Sequence, residues 1–367
     1  MTSGIDKESS VSGTQYKDGA GGIWTDYTIP IVITAEGETW VYARTVDRAG
    51  NISTESSTSA RIDRTAPGEP TSLTGVGKWS HKNVALTINP GDDIGSGILK
   101  SQYKLGVNGS WTDYTVPLTF TVEGETQIYA RSVERIGHVG GIGTTMVKID
   151  KTAPTKPTIQ VSHKQWTTSN VLFTVISGKD LLSGVSRTEY KLDAGDWIPY
   201  LNSVTISKDG VTNIIVRTVD RAGNPSTEIS EVTQIDRTAP YPPSIVPSAR
   251  EWYNGKVTFY ITAGTETGSD VAKNQYKIGA QGAWYDYTLT VPIINEGQTP
   301  IFARTLDKLG NVSRESTEII KIDKTAPTPP IRMSIADKAA NRVTISWGAA
   351  TDRVSFVKGY DIYRGTF

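Results

Sequence analysis

The hexapeptide Ile62-Asp63-Arg64-Thr65-Ala66-Pro67 returns as Ile149-Asp150-Lys151-Thr152-Ala153-Pro154, and again from Ile235 and from Ile322. The spacings are 87, 86 and 87 residues. Two further landmarks keep the same period and order. One is Tyr16-Lys17 with Trp24 and Tyr27, matched by Tyr103-Lys104 with Trp111 and Tyr114, Tyr190-Lys191 with Trp197 and Tyr200, and Tyr276-Lys277 with Trp284 and Tyr287. The other runs from Tyr42-Ala43-Arg44 to Asp47-Arg48-Ala49-Gly50-Asn51 and is matched from Tyr129, Ile215 and Phe302. Solenoid units take about 20–50 residues and an independent β-sandwich roughly 100. Each copy is therefore a small domain.

In the third copy, alternating or β-branched runs fall near 158–161, 171–177, 186–192, 197–200, 204–207, 212–220 and 228–235, separated by Gly, Asn, Asp and Pro clusters. Seven short strands and no capped 3.6-residue period predict a two-sheet antiparallel sandwich. The first copy is short at its front, because Tyr16 follows only fifteen residues while Tyr103 lies 36 residues beyond Pro67. After Pro327 the pattern changes to Val343-Thr344-Ile345-Ser346-Trp347 and Gly359-Tyr360-Asp361-Ile362-Tyr363-Arg364, expected as two strands of a different domain. The expected boundaries are 1–63 for a partial repeat, 64–150, 151–236 and 237–323 for full repeats, and 324–367 for the new domain. Composition agrees with many thin cores: 37% hydrophobic residues, 35 Gly and 18 Pro.

Charge selects no partner, since 38 Lys and Arg balance 38 Asp and Glu, and neither nucleic acid nor an anionic membrane is implied. The absence of cysteine excludes disulfides, thiolate metal sites and cysteine nucleophiles. No apolar run is long enough to span a membrane, and Met1 to Ser10 lack the pattern of a leader, so a secreted chain of this kind is expected to be an internal piece of a longer one. His81, His138 and His163 stand at non-equivalent places, and no triad, nucleophile elbow or HExxH pattern is present, so no enzyme is expected. Gly140-Gly141-Ile142-Gly143 lacks the Lys-Ser/Thr of a phosphate loop and is expected to mark a bulged or strained turn.

The Val46-Asp47-Arg48-Ala49-Gly50-Asn51 turn, the Ile-Asp-Arg-Thr-Ala-Pro joint and the Ser-Gly step at Ser96 to Ile98 and Ser183 to Val185 resemble bacterial Ig-like repeats of surface adhesins and multidomain wall proteins, over about residues 1–327. The closing segment resembles the front half of a fibronectin type III domain, whose second strand carries a Trp like Trp347. The expected fold is all-β: tandem Ig-like antiparallel β-sandwiches arranged as an elongated rod, joined by stiff Pro-rich linkers at Pro70, Pro157, Pro242-Pro243 and Pro329-Pro330. The resemblance implies an extracellular or surface-attached spacer or adhesive module, a monomer whose partners are other domains of its own polypeptide.

Two sets of residues are candidates for binding. On the strand holding Arg44, the face with Val41, Ala43 and Thr45 is expected inward, because recurring guanidiniums would be costly to bury unpaired. Tyr42, Arg44, Lys104, Tyr129, Arg131, Arg217, Phe302 and Arg304 would then line an outer basic and aromatic face that could meet glycans or cell-wall polymers. Trp79, Trp166 and Trp252, at the front of the full repeats, and Trp24, Trp111, Trp197 and Trp284, after the central hairpin, recur in every copy and are expected to pack at a core or edge. The turn Asp47-Arg48-Ala49-Gly50 places Asp first and Gly fourth, as a type I turn prefers. In a sandwich of this kind the linker arrives where two strand loops meet, so acids converge there. Structural calcium would be held by Asp63, Asp93 and Glu134 at the first joint, by Asp150, Asp180 and Asp220 at the second, and by Asp236, Asp270 and Asp307 at the third, supplemented by carbonyls and water. Arg64, Lys151 and Arg237 beside the linker acids offer neutralisation without metal. No other cofactor is implied.

Overall fold

The computed structural model describes residues 5, 7–70, 72, 73 and 77–365. Met1 to Ser10, read above as lacking the pattern of a leader, lie partly outside the described residues. No helix occurs among them, and none is long and apolar enough to cross a membrane. They divide into two compact units, one of Met1–Lys156, Gly178–Thr188 and Arg217–Thr227, the other of Pro157–Ser177, Glu189–Val216 and Glu228–Phe367.

The fourth repeat shows the architecture in full. Ser244–Pro247, Val257–Thr262 and Val291–Ile293 form a three-stranded antiparallel sheet. The second sheet runs in the order Tyr285–Asp286, Val271–Ile278, Gly297–Asp307, Ser316–Ile322. Alternation of side chains along Gly297–Asp307 sends Ile301 and Ala303 inward to Val257, Phe259, Ile320 and Ile322, all nearly or wholly buried. Tyr276 caps this core edge-on to Phe259, with ring centroids 5.7 Å apart. The third repeat holds an equivalent core around Phe173, Ile214 and Ile235, and the second one around Leu86, Ile128 and Ile149. Along Gly124–Glu134 the inward residues are Ile128, Ala130, Ser132 and Glu134, so the small-residue face is the core face.

Each full repeat closes its second sheet with a parallel contact. Trp79–Ser80 lies parallel to Gly143–Ile149, and Thr167 and Tyr253 make the equivalent bridges to Ile235 and Ile322. The front tryptophans thus mark an edge, and Trp79, Trp166 and Trp252 are half-buried there. The glycines of 140–143 have no positive φ among them. The expected strained turn is absent, and the glycines instead make room for the linker: a Cβ on Gly140 would lie 2.5 Å from the Pro67 carbonyl oxygen.

The first repeat contributes one sheet, in the order Thr25–Asp26, Val11–Asp18, Gly37–Asp47, Ser56–Ile62. In the closing segment Ile331–Ala339 pairs with Arg342–Gly348, and Trp347 packs on Tyr360 at 5.4 Å. The strand expected at Gly359 to Arg364 does not form: this stretch makes no ladder with any described residue, and an extended segment needs a ladder to be a strand.

Candidate functional site

The acids converge at the joints, and the joints share one construction. In each receiving domain a loop carries an acid, a Ser three residues on, and next a residue in the left-handed region. The four copies are Asp93, Ser96, Gly97; Asp180, Ser183, Gly184; Glu266, Ser269, Asp270; and Asp352, Ser355, Phe356. The closing φ values are 82°, 77°, 68° and 64°. The acid folds the loop by accepting its own backbone N–H groups, as Asp180 does from Leu182 (3.1 Å) and Gly184 (2.7 Å) and Glu266 from Thr267 (2.7 Å) and Gly268 (2.8 Å). That turns the Ser N–H outward to the arriving linker. The linker Asp accepts it: Ser96 to Asp63 at 2.5 Å, Ser183 to Asp150 at 2.9 Å, Ser269 to Asp236 at 2.8 Å, Ser355 to Asp323 at 3.1 Å.

The linker Asp is held from two further sides. Its carboxylate also accepts the N–H of the Thr two residues on, at 2.9–3.2 Å in all four copies. Its own N–H donates backward, from Asp150 to Ser80, Asp236 to Thr167 and Asp323 to Tyr253, at 2.9, 2.9 and 3.0 Å. One residue therefore ties the last strand of one repeat to the first loop of the next. These donors hold the Asp63 carboxyl down to about 2, led by the Ser96 N–H. At Asp236 burial pushes upward, but the Thr238 hydroxyl and the Ser269 and Thr238 N–H groups outweigh it and leave the pKa lowered.

The third member of each cluster comes from the turn after the long strand. Gly50, Gly137, Gly223 and Gly310 donate to the carbonyls of Asp47, Glu134, Asp220 and Asp307, and all four have φ of 90–101°. In the Asp copies the carboxylate closes the turn on itself, taking the N–H of Asn51, Asn224 or Asn311 on one oxygen (2.7–2.8 Å) and the same residue's side-chain amide on the other (2.7 Å). Asn224 also donates to the Asp150 carbonyl at 2.8 Å.

The second repeat departs from this with Glu134 and His138. Glu134 is fully buried, yet neither carboxylate oxygen has a hydrogen-bond partner. Its Oε1 touches His138 Nδ1 without hydrogen-bond geometry. The extra methylene carries the carboxylate past the turn's N–H groups and toward Asp63. Burial, then the charge of Asp63, raises the Glu134 pKa; His138 opposes the rise, while Asp93 and the approach of the Asp63 carboxyl to that of Glu134 add to it.

Two triples have ligand atoms within 4.8 Å of one another among the described residues: Asp63, Glu134 and His138, and Asp150, Asp180 and Asp220. At the first joint Asp93 is spent on its own loop, donating no ligand atom to that triple, while His138 joins it. At the third joint Asp270 lies apart. It occupies the left-handed position that Gly97 and Gly184 fill elsewhere, stands 76% exposed, and pairs with Lys308 at 2.8 Å. The acid equivalent to Asp93 and Asp180 is Glu266, legible from its place three residues before Ser269. Asp323 and Asp352, which form the fourth joint, follow the same spacing. Arg237 does not neutralise its linker acid; it binds Asp209, Asn170 and the Thr168 and Ser207 carbonyls.

The basic and aromatic face is present and internally engaged. Arg44, Arg131 and Arg304 stack on Trp24, Trp111 and Trp284 at 4.0–4.1 Å from the ring centroids, and each binds the Gln opposite, Gln15, Gln102 or Gln275. Lys17, Lys104 and Lys277 lie between the same tryptophans and Tyr42, Tyr129 and Phe302, at 4.7–5.4 Å. Arg217 is half-buried at the equivalent position.

A cleft of about 540 Å³ opens at the first joint, lined by Asp63, Gly95, Ser96 and Arg135 among others.

Strand order, cores and joints define an all-β tandem array of immunoglobulin-like antiparallel β-sandwiches. No known protein family matches the chain. Among curated proteins it is 31% identical over 145 residues to chitinase A1 of Niallia circulans, a stretch that takes 37% of this chain and 20% of that enzyme, so the chain spans about a fifth of that relative's length. Among solved structures it is similar to a 1.5-MDa bacterial ice-binding adhesin (14% identity, TM-score 0.29, covering 70% of this chain and 96% of the other). It is also similar to a tetra-tandem repeat from the extending region of a large adhesion protein (16%, 0.27, 85% and 92%). A third likeness is to the fibronectin(III)-like modules of Clostridium thermocellum CbhA (16%, 0.28, 48% and 95%).

Proposed function

We propose that the chain is a non-enzymatic spacer within a larger extracellular bacterial surface protein, holding an adhesive or catalytic domain away from its anchor. The observation that carries this is the linker Asp, gripped through its N–H by one repeat and through its carboxylate by the next. A carboxylate accepting several N–H donors resists rotation of the linker more than Pro alone does. The stretch shared with chitinase A1 supports a place beside other working parts, since it accounts for a fifth of that enzyme. A carbohydrate-binding role for the basic and aromatic face is disfavoured, because the indoles are already covered by the chain's own cations.

Small-angle scattering of the whole chain tests the proposal. A spacer gives an elongated distance distribution, each full repeat adding roughly 30–40 Å at strand rise, and a concentration-independent monomer mass. A compact distribution, or specific retention on glycan arrays, would overturn it.

A further inference from the structure

We propose that Asp63, Glu134 and His138 form a binding site for a divalent first-row transition ion, with Zn²⁺ as the probe. Three observations converge. The ligand atoms of the three side chains lie within 4.8 Å of one another. Glu134, with no side-chain exposure, aims into that cluster a carboxylate whose oxygens accept no hydrogen bond. His138 Nδ1 is likewise a buried atom without a hydrogen-bond partner, although the ring as a whole is 42% exposed. Unanswered buried carboxylate oxygens are costly, and in the equivalent turns at Asp47, Asp220 and Asp307 they do not occur, because Asn closes the turn. Replacing both Asp and Asn in the same turn sets two acids and an imidazole together, with no backbone N–H to answer the Glu134 carboxylate.

A cation supplies what this set lacks. Mixed carboxylate and imidazole donors suit Zn²⁺ and its neighbours, whereas Ca²⁺ takes six to eight oxygens. Asp63 accepts the Ser96 N–H on one oxygen and the Thr65 N–H and hydroxyl on the other and, with about four acceptor positions, keeps one for a metal on the Ser96 side. Asp63 also lines the cleft at this joint, and the His138 ring is partly exposed. Because Asp63 belongs to the linker and the other two ligands to the next repeat, the ion would lock this one joint. The inference is independent of the spacer role, since an enzyme fragment with this joint would bind metal equally.

The test is calorimetric titration of the full 367-residue chain, free of affinity tags and first treated with chelator. One Zn²⁺ site is expected, with Ca²⁺ at millimolar concentration failing to displace it. His138→Asn installs the residue found at Asn224 and Asn311, and is expected to weaken Zn²⁺ by at least about tenfold with an unchanged circular dichroism spectrum. His81→Asn and His163→Asn are expected to bind as the parent does. Glu134→Gln provides a second variant and is also expected to weaken binding; Co²⁺ in place of Zn²⁺ should give visible absorption that both site variants lose. Absence of Zn²⁺ binding by the parent, equal binding by His138→Asn, or displacement by Ca²⁺ would overturn the site.

Discussion

At the second joint each of the three carboxylates is answered by N–H groups; at the first, one carboxylate is left unanswered. The two joints are built from equivalent positions, and the difference lies in Asp220 and Asn224 against Glu134 and His138. Asp220 is short enough to fold back on its own turn, which frees Asn224 to reach the Asp150 carbonyl as well. Glu134 is one methylene too long for that. The contrast teaches that the acids of a domain joint are satisfied first by backbone N–H groups, and that one added methylene is enough to take a carboxylate out of their reach.

The strongest way to break the comparison is to make the second joint fail. Asp150→Ala leaves the buried Ser183 N–H without its acceptor and should cost about 2–3 kcal/mol in urea denaturation; a loss below about 1 kcal/mol would show that the grip on the linker is incidental. Asp236→Asn asks the same of the third joint through pH. A lowered folded pKa contributes stability above the ordinary value of 3.8 that is lost as pH falls through the folded value. The parent should therefore lose stability below about pH 4, and Asp236→Asn should flatten that limb; an unchanged acid profile would remove Asp236 from the account.

A transplant sharpens the contrast further. Asp220→Glu combined with Asn224→His recreates the first joint's pair at the second. It should cost about 1–2 kcal/mol through the lost Asn224 bonds and should add a second Zn²⁺ site by calorimetry. Stability retained with no added site would mean that side-chain identity does not separate the joints. The smallest effect is expected away from both. Arg131→Ala removes the stack on Trp111 and the bond to Gln102 and should cost about 1 kcal/mol, leaving the Zn²⁺ titration unchanged. A loss above about 3 kcal/mol would indicate that the guanidinium is part of the core.

The strands of the full repeats, the inward face of Gly124–Glu134 and the Asp-to-Gly turn were legible in the sequence, whereas in the closing segment Ile331–Ala339 forms a strand and Gly359 to Arg364 does not. Each of the legible features depends on neighbours within a few residues or on a two-residue alternation, and the repeat displays each several times. The convergence of linker and loop acids was legible in full at the second joint, because it follows from where a sandwich puts its loops; at the first, His138 stands in the cluster where the sequence pointed to Asp93. Assigning the third was harder: Glu266 and Asp270 are both acids of one loop, and only the backbone shows that Asp270 stands in a glycine-like conformation with its side chain turned to Lys308. The tryptophans after the hairpin read as core or edge residues, whereas the structure sets three of them against Arg and Lys of the neighbouring strands.

What the sequence alone determined is the repeat period, the all-β class and the strand alternation. These are consequences of local backbone preference and of burying one face in two. What only the tertiary structure decided is which groups meet across long separations: Ser183 with Asp150, 33 residues apart, Asn224 with the Asp150 carbonyl, 74 apart, and His138 with Asp63. Side-chain length and the direction of each N–H set those meetings to within an ångström, and a one-dimensional pattern carries neither quantity.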